Sequence, residues 1–143
     1  MNVELTLEEV SIVFEELAKL SKQELPFDLA WKLDDNIENL TKYAKRFEEA
    51  RLKILNTYSD GEPTPGENGQ VQYAIKDPQN FNKEYTEMAS NKVEVELSSI
   101  QVGELKQVEG LKVSGNTLSV LKKYIILPDE TADEPEKIKE SQE

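Results

Sequence analysis

The segment LDDNIENLTKYAKRFEEARLKILNTY, residues 33–58, contains the longest periodic pattern of the chain. Large side chains recur in it at steps of four and three residues, which places them on one side of an α-helix. The pattern predicts one helix of roughly thirty residues, about 45 Å long at 1.5 Å per residue. The opposite side carries charges spaced for the ion pairs Glu38–Lys42 and Glu49–Lys53. The stripe of large side chains consists of Leu33, Ile37, Leu40, Ala44, Phe47, Arg51, Ile54 and Tyr58.

A shorter helix is predicted before this stripe, from Leu7 to Ser21, where apolar residues keep helical spacing. Thr6 and Glu9 are spaced as a capping box, in which each side chain binds a free backbone amide at the helix start. Because this helix is shorter than the stripe, it can cover only part of it. The rest of the stripe must pack against the sheet, the C-terminal helices or another subunit.

Alternating side chains predict short strands beside this helical hairpin. Val3 and Leu5 alternate with polar residues, as do Val93, Val95 and Leu97. The other predicted elements are a connecting loop at 59–69, a strand at 71–75, a helix at 81–88, a helix or turn at 100–111, and a last helix capped by Ser114 or Asn116 and ended by Pro128. The fold class is therefore α+β and mainly helical. It comprises an N-terminal helical hairpin with one long helix, packed with a small two- to three-stranded sheet and short C-terminal helices.

The length of 143 residues fits one domain, which we assign to residues 1–127. Residues 128–143 contain seven acidic side chains and one apolar side chain larger than alanine, so we expect a disordered acidic tail. The net charge of −12 repels phosphate backbones, and direct nucleic-acid binding is not expected. An acidic surface can instead contact basic proteins or imitate DNA.

The chain contains no histidine and no cysteine. Zinc sites of thiolate and imidazole, Ser-His-Asp and Cys-His catalysis, and a histidine general base are therefore excluded. Carboxylate chemistry with magnesium or calcium remains open.

Two pairs of carboxylates bear on that chemistry. Glu94 and Glu96 alternate along a predicted strand, about 6–7 Å apart, and form either its solvated face or a functional pair. Glu84 and Glu87 share a helix face, but the histidine of the familiar di-iron pattern is missing. We predict no bound metal, no cofactor and no catalytic residues.

The N-terminal residues MNVELTLEEV show no basic region followed by an apolar run. No apolar segment approaches the ~20 residues that a membrane span needs. We therefore expect a cytoplasmic protein without a membrane partner.

The side chains expected to contact partners lie on two helices. Trp31, the only tryptophan, opens the long helix beside Phe27 and is either a core anchor or a partner-binding residue. A local basic pocket at the last helix could hold a nucleotide at a subunit interface. The interaction candidates are Trp31, Phe47, Arg51, Ile54 and Tyr58 on the long helix, and Lys122, Lys123 and Tyr124 on the last helix.

The order of these elements resembles small acidic proteins encoded by tailed bacteriophages, a group without an agreed activity. The resemblance covers residues 1–127 and implies synthesis in the cytoplasm of a host cell, but it transfers no catalytic residues. It rests on the segments FEEARLKILNTY (47–58), YAIKD (73–77), FNKE (81–84) and VEVEL (93–97), together with Ile100 and Leu105.

Three functions remain as hypotheses. The favoured one is a non-enzymatic phage protein, expected as a homo-oligomer, that acts through protein–protein interaction in particle assembly or host takeover. The second is an inhibitor of a host antiviral defence or nucleic-acid enzyme, by acidic DNA mimicry or by sequestering a nucleotide signal. The third is a carboxylate metal-dependent enzyme.

Overall fold

The computed structural model describes residues 1–61, 64–66 and 69–128. The predicted acidic tail therefore lies outside the described residues, except for Pro128. In chain order the elements are β1 (Asn2–Thr6), α1 (Leu7–Ser21), α2 (Phe27–Tyr58), β2 (Thr64–Pro65), β3 (Val71–Gln72), α3 (Pro78–Ala89), β4 (Lys92–Glu96), β5 (Ile100–Gln101), α4 (Val102–Lys106), α5 (Gly115–Tyr124) and β6 (Ile126–Leu127). The predicted fold class, mainly helical α+β, is confirmed.

Helices α1 and α2 form the predicted hairpin around the main core. The capping box at the start of α1 is present: the Thr6 amide donates to Glu9 Oε1 at 2.8 Å, and the Glu9 amide donates to Thr6 Oγ1 at 3.1 Å. Helix α2 has 32 residues, so it extends about 48 Å and projects beyond α1. The buried residues between the two helices are Val10, Val13, Leu17, Leu20, Leu29, Leu33 and Leu40.

The far half of the stripe on α2 packs against α3, within the same chain. Phe47 is buried, and its ring meets the edge of Tyr85 at 6.3 Å between centroids. The contact continues to the end of the stripe, where the ring of Tyr58 meets that of Phe81 at 6.2 Å between centroids. The sequence left open whether the sheet, a later helix or another subunit covers this part of the stripe. In the structure it is a later helix of the same chain, α3.

The main sheet has two antiparallel strands, β1 and β4, with Val3 opposite Val95. The side chains of Leu5 and Val95 are buried beneath it, as their alternation predicts. Two further pairings are short: β2 with β3, antiparallel, and β5 with β6, parallel. Along the described segments of the chain, no helix combines the length and apolar character that a membrane crossing requires.

Four local predictions are wrong. The connector 59–69 contains β2, and Ile75 forms only a single bridge with Ser59, outside any strand. The last helix ends at Tyr124 rather than at Pro128, because Ile126 pairs with Ile100 across the β5–β6 ladder. Within the described residues, the pairs Glu38–Lys42 and Glu49–Lys53 do not form, and the ion pair on this part of α2 joins Arg51 to Glu48 at 2.6 Å.

Candidate interaction surface

Two aromatic side chains at the start of α2 project into solvent. Phe27 is 73% exposed and Trp31 is 59% exposed, and their rings lie 5.5 Å apart between centroids. One helical turn separates them, so they share a side of α2, whereas Leu29 and Leu33 fill the side that faces the core. We call Phe27 and Trp31 the aromatic pair. The prediction of Trp31 as a core anchor is wrong, because the leucines occupy the inward positions.

The aromatic pair begins a continuous solvent-facing side of α2, which we call the outer face. Acidic side chains follow the aromatic pair, and basic side chains follow these: Asp34, Asp35 and Glu38 form the acidic block, and Lys42, Lys45 and Arg46 form the basic block. Asp35 is half-buried; the exposed residues of the outer face are Phe27, Trp31, Asp34, Glu38, Thr41, Lys42, Lys45, Arg46, Glu49, Leu52 and Asn56.

Carboxylates border the aromatic pair. The nearest lysine in the sequence, Lys32, binds Glu104 at 2.8 and 3.0 Å and so joins α2 to α4. Burial alone would raise the pKa of Glu104, but hydrogen bonds from Lys32 and from the Gln101 amide outweigh it and lower that pKa. Of the residues that the structure describes, none forms an ion pair with Asp28 or with a member of the acidic block. The rim of the aromatic pair is therefore negative.

The stripe candidates occupy the other side of α2 and face α3. Phe47 is only 6% exposed, while Arg51, Ile54 and Tyr58 are half-buried. The Tyr58 hydroxyl donates a hydrogen bond to Glu84, which therefore serves a structural contact between α2 and α3. These four candidates are not brought together with Trp31 in one surface.

The candidates on α5 do not form one pocket. Lys122 and Lys123 are exposed and line a shallow depression of about 530 Å³ with Gly115, Leu118 and Ser119. Tyr124 is directed towards α1 instead, where its hydroxyl donates to Glu9 Oε2 at 2.7 Å. Burial and this hydrogen bond raise the pKa of Tyr124 to about 12. The tyrosine joins α5 to α1 and does not contribute a wall to the lysine-lined depression.

The alternating carboxylates of β4 lie on the solvated face of the sheet. Glu94 lies opposite Glu4 and Glu96 lies opposite Asn2, all four exposed. In the described parts of the chain, no three histidine, cysteine, aspartate or glutamate side chains are grouped so that they could hold a metal ion.

Comparison with known proteins adds no relative: no protein-family model matches this chain, and neither curated proteins nor solved structures give a match. The resemblance to small phage proteins therefore stays a prediction. The outer face itself was missed at the sequence level, although its signal is present. Phe27 and Trp31 are four residues apart and out of phase with Leu29 and Leu33.

Proposed function

We propose that this chain is a non-enzymatic protein that acts by binding another protein through the aromatic pair. The observation that supports the proposal is the joint exposure of Phe27 and Trp31, whose ring centroids lie 5.5 Å apart on one side of α2. Burying both would remove roughly 250 Å² of apolar surface from water, which is worth about 6 kcal/mol at about 25 cal/mol per Å². Tryptophan at the centre of a contact is also the residue type that most often dominates binding energy.

The charge around the aromatic pair favours a protein partner over a nucleic acid. Asp28 and the acidic block repel phosphates, whereas an apolar surface with basic groups complements them. Mimicry of DNA needs continuous rows of carboxylates, but the outer face changes sign after Glu38. We therefore place the inhibitor of a nucleic-acid enzyme second and the protein-binding role first.

The phage resemblance adds a setting to this proposal. In that setting the protein works in the host cytoplasm, during particle assembly or during takeover of the host. Inhibition of an antiviral defence protein would use the same aromatic pair and is one form of the proposed activity.

Quantitative affinity capture tests the proposal in the cell that makes the protein. Tagged wild-type protein is compared with the double variant Phe27→Ser/Trp31→Ser and with Leu118→Ser, which alters an exposed apolar side chain on α5. We expect the double variant to retain roughly tenfold less of each specific partner, while Leu118→Ser retains the wild-type amount. Equal capture by wild type and double variant would overturn the proposal.

A further inference from the structure

The outer face of α2 is complementary to itself when one copy is turned end to end. Its acidic block is centred near residue 36 and its basic block near residue 44, so the midpoint between the blocks is about residue 40. In an antiparallel pair of identical helices related by a two-fold axis at that point, each acidic block faces the partner's basic block. A parallel pair would instead place like charges together.

The apolar residues of the outer face define the same axis independently. Leu52 is 38% exposed and lies on the side of α2 that carries the aromatic pair. It is about 34 Å along the helix from the centre of that pair. The midpoint between Leu52 and the aromatic pair again falls at about residue 40, so the axis that matches the charges also brings Leu52 against Phe27 and Trp31 of a second copy.

We propose that the partner of the aromatic pair is a second copy of this chain, bound through antiparallel contact of the two outer faces. This inference rests on the proposed protein-binding function and names its partner. Facing positions have residue numbers that sum to about 80, as the two-fold axis requires. Glu38 then faces Lys42, and Asp34 faces Lys45.

The environment of these charges supports contact between two copies. Within the described part of the chain, Asp34, Glu38 and Lys45 form no ion pair, and Lys42 contacts only the ring of Tyr43, at 5.1 Å from its centroid. Their charges are thus available to another chain. Thr41, beside the axis, is small and exposed, and it lets the two helices approach each other closely.

Charge reversal provides a decisive test, because the two blocks can be altered separately. The first variant is Asp34→Lys/Glu38→Lys and the second is Lys42→Glu/Lys45→Glu. For each full-length protein, light scattering coupled to size exclusion at low salt gives the mass of the particle in solution, and so its number of subunits. We expect a dimer for the wild type and a monomer for each variant alone. Each dissociation constant should rise on the order of a hundredfold, since four attractive contacts per dimer become repulsive. An equal mixture of the two variants should restore the dimer, because one outer face is then basic and the other acidic.

Three results would overturn the inference: a monomeric wild type, dimers of both variants alone, or a mixture that stays monomeric while circular dichroism shows both variants folded. Phe27→Ser/Trp31→Ser gives an independent check, because it keeps every charge and should still lose the dimer. A monomeric wild type whose partner capture still depends on Phe27 and Trp31 would overturn only the second-copy inference. Loss of that dependence as well would overturn the proposed function.

Discussion

Among single side chains, Asn36 makes the most specific contact between the helical hairpin and the rest of the chain. Its side chain is fully buried, and its amide nitrogen donates to the Ser98 carbonyl at 3.0 Å while its oxygen accepts from the Ser98 amide at 2.7 Å. Asn36 thus satisfies both backbone groups of Ser98, which follows the end of β4 and pairs with no strand of the described residues.

We expect Asn36→Ala to lower the free energy of unfolding by about 3 kcal/mol, because it leaves the partly buried N–H and C=O groups of Ser98 unpaired and opens a small cavity at the buried Asn36 position. Asn39→Ala is the matched control, since Asn39 also donates to a backbone carbonyl, that of Glu96 at 3.0 Å, but is exposed. The control substitution should lower the free energy of unfolding by about 1 kcal/mol or less. Urea unfolding followed by circular dichroism measures both, and equal losses would contradict the role given to burial.

Glu9 joins three parts of the fold and should make stability depend on pH. Hydrogen bonds from the Thr6 amide and from Tyr124 lower the pKa of Glu9 below its ordinary value of 4.5. A lowered pKa stabilises the folded state above pH 4.5, and this contribution is lost as the pH falls through the folded-state pKa. We expect Glu9→Gln to lose less stability than the wild type between pH 5 and 3, because a glutamine keeps the capping contact but does not titrate. Thermal unfolding across that range tests it, and parallel curves for the two proteins would count against the assignment.

The pKa of Tyr124 is shifted in the opposite direction to that of Glu9. Its pKa is raised to about 12, so the neutral hydroxyl stabilises the folded state fully at any pH below 10.0, the ordinary pKa of tyrosine. That contribution is lost only as the pH rises from 10 towards 12. Near neutral pH, neither side chain of the Glu9–Tyr124 contact changes its charge.

The sequence predicted those helices whose formation depends on neighbouring residues, through apolar spacing and capping side chains. The stripe of large side chains predicted α2, and the capping box predicted the start of α1. Ser114, one of the two residues predicted to cap the last helix, does cap α5: its hydroxyl accepts from the Thr117 amide at 3.0 Å. Strand β6 was missed because Ile126 continues an apolar run whose pairing partner, Ile100, is distant in the sequence. The partner of the stripe was likewise undecided, since only the tertiary structure shows that α3 covers it.

The candidate surface was predictable only in part, for a geometric reason. Trp31 was identified as a candidate for partner contact, but its exposure depends on which side of α2 faces α1. Phe47 and Tyr58 were candidates by the same apolar character, and α3 buries or half-buries them. Composition and spacing identify apolar side chains on a helix, whereas the packing of neighbouring elements decides which of them stay exposed.

In the whole molecule, charge is distributed in a way that fits association. Residues 129–143 hold seven acidic side chains and two lysines, so much of the net charge of −12 lies beyond the described fold. The outer face of α2 is balanced by comparison, with acidic and basic blocks in succession. Two copies can therefore meet through α2 without the repulsion that the total charge suggests, and added salt should weaken the contact.

The fluorescence of Trp31 reports on contact between two copies, because Trp31 is the only tryptophan of the chain and belongs to the proposed contact. The wild type is diluted stepwise at low salt, with Asp34→Lys/Glu38→Lys as the control. We expect concentrated wild-type protein to emit at short wavelength and to shift on dilution to the long wavelength of a solvated indole, while the control emits at long wavelength throughout. A wild-type spectrum that stays at long wavelength at every concentration would contradict burial of Trp31 by a second copy.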